Sequence, residues 1–271
     1  TVITALVLAF VVGLVVIGGI QRISKVSQVV VPFMAVLYIV AVLVLIIANI
    51  EKLPGALATI VEYAFGAKAA AGGVLAAIGI AMQKGIARGI FSNEAGLGSA
   101  PIAAAAAKTN EPVRQGLVTM TGTFIDTIIV CTLTGLSIVM MGSYQVKGIE
   151  GVQVTTDAFR KGLSFLPAEV SAFILMVCLV FFAFTTILGW NYYGERCLEY
   201  LTNRNQKAVK VYRWLYILAV FIGPYMTVKA VWTIADIFNG LMAIPNIIAL
   251  FVLSGVVAKE TKEYFKKHKE L

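Results

Sequence analysis

The stretch Arg88-Gly-Ile-Phe-Ser-Asn-Glu-Ala-Gly-Leu-Gly-Ser-Ala-Pro101 is polar and glycine-bearing, set in an otherwise apolar sequence, and leads into the small-residue run Ile102 to Ala107. Hydrocarbon offers backbone N–H and C=O groups no partner. Non-helical backbone at membrane depth is therefore tolerated only where it is buried in protein or lines a cavity. Residues 92 to 98 accordingly read as an interruption in a transmembrane helix, and the interruption as half of a solute site.

The surroundings support the membrane reading. The chain is 59% hydrophobic and 13% charged, its mean hydropathy is +0.89, and several apolar runs approach the roughly 20 residues that span a bilayer. Its fold class is all-α, a polytopic membrane protein. Seven membrane segments are placed at about 1 to 20, 29 to 49, 74 to 107 (interrupted), 114 to 141, 167 to 197, 209 to 227 and 230 to 257, all within one transmembrane domain over 1–271. The apolar start lacks the basic region and cleavage site of a signal peptide. Because it opens on Thr1 in mid-hydrophobic run, the chain is expected to be the C-terminal part of a longer protein.

The net charge of +8 does not point to nucleic acid, because Lys and Arg collect in short connections rather than on one stripe. Around 21 to 28, 108 to 114, 196 to 213 and in the tail stand Arg22, Lys25, Lys108, Arg114, Arg196, Arg204, Lys207, Lys210, Arg213, Lys259, Lys262, Lys266, Lys267 and Lys269; the opposite side carries only Lys52, Lys68, Lys147, Arg160, Lys161 and Lys229. The excess predicts a cytoplasmic C-terminus and an interrupted helix that enters from outside. Cys131, Cys178 and Cys197 have no metal spacing and read as inert thiols. With His268 as the only histidine, histidine-based catalysis and zinc-histidine sites are excluded, and no phosphate loop is present. No nucleophile–base pair can be assembled, so the protein is read as not an enzyme and as needing no cofactor.

The candidate residues carry two readings each. Gly96 and Gly98 open backbone conformations closed to other residues and remove side chains that would block a ligand. Freed N–H groups near Ser99 would attract a carboxylate, and freed carbonyls before the break a cation; the alternative is a helix-packing face. Glu94 is either functional or a pin for the broken helix. Asp126, flanked by Thr119, Thr123 and Thr127, suits a cation, a proton carrier or a structural network. Thr185, Thr186 and Trp190 form a second polar island, whose hydroxyls either ligate Na⁺ beside a carbonyl near Phe182 or bond their own helix. Asn191, Glu195 and Arg196 read as interfacial, and Asp236, Asn239, Pro245 and Asn246 as a kink or gate.

The stretch Gly-Ile-Phe-Ser-Asn-Glu-Ala-Gly-Leu-Gly-Ser-Ala-Pro resembles the signature of the alanine or glycine:cation symporter family, the sodium:alanine symporters. The resemblance extends through Arg114-Gln-Gly-Leu-Val, Phe124-Ile-Asp-Thr, Cys131-Thr-Leu-Thr, Gly189-Trp-Asn-Tyr-Tyr-Gly-Glu and Asn239-Gly-Leu-Met-Ala-Ile-Pro-Asn. It implies a leucine-transporter-type bundle of five-plus-five inverted repeats, with these segments resembling core helices four to ten and the N-terminal helices missing. It also implies that Asn93, Gly96, Gly98, Thr186 and Trp190 contact substrate, and that Thr185 and Thr186 ligate sodium. The expected function is symport of a small neutral amino acid, alanine or glycine, with Na⁺ as coupling ion, across the plasma membrane of a bacterium or archaeon. Alternatives are a proton-coupled permease using Glu94 or Asp126, and a non-transporting membrane scaffold or sensor.

Overall fold

The computed structural model describes residues 2–65 and 74–268. In chain order its helices are α1 (Val2–Val16), α2 (Gly19–Ala48), α3 (Leu53–Phe65), α4 (Val74–Asn93), α5 (Ala100–Ala104) and α6 (Pro112–Thr123). After a π-helical stretch, Phe124–Cys131, come α7 (Thr132–Met140), α8 (Val152–Gly162), α9 (Ala168–Leu201), α10 (Gln206–Ile222) and α11 (Val228–Lys267). No strand occurs among the described residues. Among the described residues, four helical stretches are long and apolar enough to cross a membrane: Gln21–Ala48, Pro112–Met140, Ala168–Leu201 and Val228–Lys267.

Two boundaries differ from expectation. Residues 21 to 28, expected as a connection, are helical, because Ile23 and Val26 join the apolar packing and extend α2 toward its N-terminus. The turn is confined to Ile17 and Gly18, followed by Gly19 at φ +69°. There Arg22 Nη1 donates to the Leu14 carbonyl at 2.7 Å, satisfying an acceptor that the end of α1 leaves open. The charged tail likewise continues α11 through Lys267. Cys178 is buried as expected, but Cys131 and Cys197 are exposed. Lys68 and Lys269, assigned above to opposite sides of the membrane, lie outside the described residues.

The chain forms two compact units. In the first, residues 1–80 and 130–225, α2 packs along α9, and α8 closes over both. Its larger apolar cluster joins Tyr38, Leu45, Met140, Phe159, Leu163 and Leu175. The Tyr38 hydroxyl meets Thr134 Oγ1 at 2.6 Å, and its ring stacks on Phe159 and meets Phe182 edge-on. A second cluster, Val12, Val15, Val16, Ile23 and Leu188, fixes α1 against α9. The α8 C-terminus docks on α2 through Asn49, whose Nδ2 donates to Gly162 O at 2.7 Å.

In the second unit, residues 81–129 and 226–271, α11 contributes no buried side chain. Phe251 and Val252 are 78% and 76% exposed. A helix apolar on every face belongs inside protein or lipid, so these surfaces fit a bilayer. At the charged end, Glu111 accepts from Lys267 Nζ at 2.9 Å and meets His268 Nε2 at 3.2 Å. These contacts hold the Glu111 carboxyl below its ordinary range, the Lys267 hydrogen bond contributing most and His268 next.

Two predictions arise. A methyl added at Gly162 would land in the Leu45 side chain, so Gly162→Ala should cost about 1–3 kcal/mol by overpacking, read as a lower thermal unfolding midpoint in detergent. A carboxyl whose folded pKa is depressed stabilises above its unfolded pKa and loses that contribution as pH falls through the folded value. The last turns of α11 should therefore exchange amide hydrogens faster, after correction for intrinsic rates, once pH drops below about 4, and Glu111→Gln should show that faster exchange already at neutral pH.

Candidate functional site

The interruption is where the sequence places it, its start displaced by two residues and its end by one. Ser92 and Asn93 close α4 as helix, residues 94–99 are non-helical, and α5 begins at Ala100. Three of the six non-helical residues have positive φ: Glu94 at +57°, Gly96 at +83° and Gly98 at +82°. For the two glycines that conformation costs little, whereas Glu94 carries a strain of about 1–2 kcal/mol. Gly98 has a second reason to lack a side chain, since a Cβ there would sit 3.1 Å from Asn246 of α11. Beside Gly96 nothing lies within 4 Å.

A side-chain network takes over the hydrogen bonds that the helix gives up. Asn93 Oδ1 accepts the Ala95 N–H at 2.9 Å, and Asn93 Nδ2 donates to Thr127 Oγ1 at 3.2 Å. The Leu97 N–H turns back to Glu94 O at 3.2 Å. Ser92 Oγ lies 2.8 Å from both oxygens of Asp126, and Thr127 Oγ1 lies 3.4 Å from Asp126 Oδ2. Asp126 and Thr127 stand on the π-helical stretch, an insertion that widens the helix and occurs often at functional sites. Asp126 thus anchors the end of α4 on the neighbouring element. Both ends of the Asn93 amide are engaged in holding the break.

Two sequence expectations take a different form. α5 has only five residues, a single turn in which aligned peptide dipoles scarcely accumulate, so it supplies no anion site of the macrodipole kind at Ser99. Ser99 is instead 1% exposed, with no partner for its Oγ among the described residues. Glu94 makes no pin of the expected kind, because its Oε2 is buried without a hydrogen-bond partner among the described residues. α11 holds Pro245 inside its helix, so Asp236, Asn239 and Asn246 stand on one element, as a kinked helix requires.

Along the break opens a cavity of about 740 Å³, lined by Asn93, Ala95, Ala100, Ala104, Gly116, Thr119 and Thr123 among others. Its walls are mostly small side chains and threonine hydroxyls, with the amides of Asn93, Asn110 and Gln115 and the thioether of Met120. One turn before Ser92 on α4, Arg88 Nη2 pairs with Asp236 at 2.8 Å, and its guanidinium lies 3.8 Å over the Trp232 ring. Phe91 meets the same ring at 5.3 Å. The Trp232 contribution went unread in the sequence. Its signal was the four-residue spacing to Asp236, which puts both on the helix face opposite Arg88.

The second polar island belongs to the other unit. Thr185 Oγ1 donates to its own helix, with Phe181 O at 2.9 Å and Phe182 O at 3.2 Å, and its lone pairs stay available to a cation. Thr186 is exposed, and Trp190 packs edge-on against Tyr193 at 5.7 Å. Asn191 and Glu195, expected at the interface, are buried at 0% and 3% exposure. For Glu195 the reason is Arg213 of α10, which donates two hydrogen bonds to it at 2.7 and 2.8 Å, while Arg196 adds a third at 2.9 Å; the Asn191 amide has no hydrogen-bond partner among the described residues. A carboxylate bonded to two guanidinium groups can be buried where an isolated one could not.

The whole chain, residues 1–271, matches the family model described as the sodium:alanine symporter family. This chain belongs to that family. It is 49% identical to the sodium/alanine symporter of Methanococcus maripaludis over 97% of its own length and 56% of that protein. It is 41% identical to a probable sodium/glutamine symporter of Bacillus subtilis over 97% of itself and 54% of the relative, and 35% identical to a sodium/proton-dependent alanine carrier of Bacillus sp. PS3 over 99% and 62%. The chain thus spans little more than half the length of these curated relatives. The family consists of transporters, not enzymes.

If Asp126 anchors the break, Asp126→Ala should speed amide exchange at residues 94–98 by roughly tenfold or more, the loss of about 1–3 kcal/mol of charge-assisted bonding. Asp126→Asn, which keeps an acceptor for Ser92, should fall between Ala and the parent in hydrogen-exchange mass spectrometry.

Proposed function

We propose that this chain is the larger part of a sodium-coupled symporter for a small neutral amino acid, alanine or glycine, working by alternating access in a leucine-transporter-type bundle. Family membership supports amino-acid transport. The single structural observation that carries the finer reading is the broken helix over residues 94–99, held open by Asn93 and Asp126 beside a cavity walled largely by alanine and threonine, with the amides of Asn110 and Gln115. The alanines and the glycine leave room for a small solute, and the amides and hydroxyls among them offer it hydrogen bonds.

On this reading Gly96 and Gly98 expose backbone to the solute, and Asn93 keeps that backbone in place. The desolvated Glu94 oxygen favours a positive group, either the solute ammonium or the coupling ion. Thr185 and Thr186 offer hard hydroxyl oxygens suited to Na⁺, and Trp190 an apolar wall for the solute. The C-terminus is placed in the cytoplasm by the Lys and Arg excess, in the plasma membrane of a bacterium or archaeon. Solute and Na⁺ would each raise the other's affinity by one shared coupling free energy.

The test is radiolabelled alanine uptake into proteoliposomes holding the complete gene product. An inward Na⁺ gradient should drive accumulation, K⁺ in its place should not, and Thr185→Val together with Thr186→Val should raise the half-saturating Na⁺ concentration about tenfold or more. Uptake driven by a pH gradient without Na⁺ would move the coupling to Glu94 or Asp126. Absence of uptake and of binding for any small amino acid would support the scaffold reading.

A further inference from the structure

Along its length α11 touches the interrupted stretch before, at and after the break. Before it, Asp236 pairs with Arg88 of α4 at 2.8 Å. At it, Asn246 packs so close to Gly98 that a Cβ there would lie 3.1 Å away. After it, Lys267 and His268 reach Glu111 at 2.9 and 3.2 Å. The third contact differs in kind. Between the end of α11 and the start of α6 lies a small cavity of about 190 Å³, lined by Asn110, Glu111 and Val113 on one side and by Glu260, Glu263 and Tyr264 on the other, among others. Closely packed side chains would leave no such space, so the two ends are joined by charge rather than by packing.

Charge makes the junction reversible. Glu111 is bonded to Lys267 and to His268, whose ring lies 4.6 Å from that of Tyr264, while Glu260 and Glu263 border the same space and repel it. Lys267 is 71% exposed, and ion pairs in water hold only weakly. Glu111 nevertheless stands at a position that matters to the cavity along the break. Its neighbours Thr109, Asn110 and Pro112 line that cavity, as Asn93 and Ala95 of the break do. Lys108 and Arg114 flank this stretch, and the charge excess places it at the cytoplasmic face. In this conformation the cavity reaches the cytoplasmic end of α6, and the end of α11 holds its rim.

We infer that the C-terminal end of α11 is a cytoplasmic latch that favours the inward-open state of the cavity. Lys267 and His268, by holding Glu111, keep the connection between α5 and α6 against α11, and closure of the inner mouth requires their release. The inference rests on the alternating-access reading above. A contact made in one state and lost in the other shifts the balance between them by its own free energy and no more. An exposed pair of this kind therefore biases the equilibrium by about two- to fivefold. That is enough to set how long the cavity stays open inward, and too little to lock it.

The experiment places a reporter thiol in the cavity, Gln115→Cys, in the complete gene product, and measures its labelling by a membrane-impermeant maleimide in inside-out membrane vesicles. The protein with Gln115 intact gives the background, and alanine uptake is followed on the same tail variants with Gln115 intact. Glu111→Gln should slow labelling about two- to fivefold, Lys267→Glu at least as much, and Glu111→Lys combined with Lys267→Glu should return it to the starting rate or above. That return separates pairing from damage to α6. Lys267→Gln with His268→Gln, which leaves α6 untouched, should also slow labelling and keeps the test valid if the Glu111 variants fail to assemble. Labelling unchanged or faster in all the single-charge variants, with normal alanine uptake, would overturn the latch and leave the transport reading intact. Labelling that responds as expected in a protein that takes up no small amino acid would support the latch on the cavity and overturn the transport reading.

Discussion

The constraint on which this structure depends is that a peptide group inside a bilayer has no water to fall back on. Between Asn93 and Ala100 the helix gives up its regular bonding, and the replacement partners come from side chains: the Asn93 amide takes Ala95, Thr127 takes Asn93, and Asp126 takes Ser92. Only the Asn93–Ala95 link is local; Asp126 and Thr127 sit on a separate element, so the break holds its shape only while that element stays in register. The π-helical stretch there supplies the register, because one wider turn rotates successive side chains away from the positions a regular helix would give them. The site is thus a property of two elements rather than of one motif.

A different solution to the same constraint appears in the first unit. Glu195 is nearly inaccessible, but three guanidinium hydrogen bonds from Arg213 and Arg196 compensate its burial. Arg196 also reaches Glu199 at 2.6 Å. Such a cluster adds little net stability over an apolar core of the same shape, whereas removing one member would strand a charge. Its effect is therefore on specificity: α9 and α10 can pair in only one register without leaving a guanidinium or a carboxylate alone.

How much of this was legible in sequence follows from range. The break was readable at Gly96 and Gly98 because glycines next to Ser, Asn and Glu inside an apolar run violate the helical pattern locally. The all-α class followed from composition for the same reason. The partnership of Asp126 with Ser92 was not readable, since the two are 34 residues apart and nothing in either segment names the other. Residues 21–28 misled because polar residues at a connection look like a loop, while Ile23 and Val26 hold them helical through packing that only the neighbours reveal. Glu195 misled in the opposite sense: a charge among aromatic residues reads as headgroup-level until Arg213 arrives from the next helix.

Glu94 joins these arguments. It is a non-glycine residue held at positive φ, and one of its carboxylate oxygens is shut away from solvent without a protein donor among the described residues. Both features cost free energy, and such costs persist where the surrounding structure enforces them and function makes use of them. The surroundings here do enforce them, since Asn93 and the Leu97-to-Glu94 turn fix the backbone on either side of the residue. On the proposed reading, a positive group that meets this oxygen recovers its desolvation cost only in the geometry the Asn93 and Asp126 bonds maintain. Binding and the shape of the break then become one equilibrium, and any conformation that loosens the network weakens the ligand by the same free energy by which the ligand opposes the loosening.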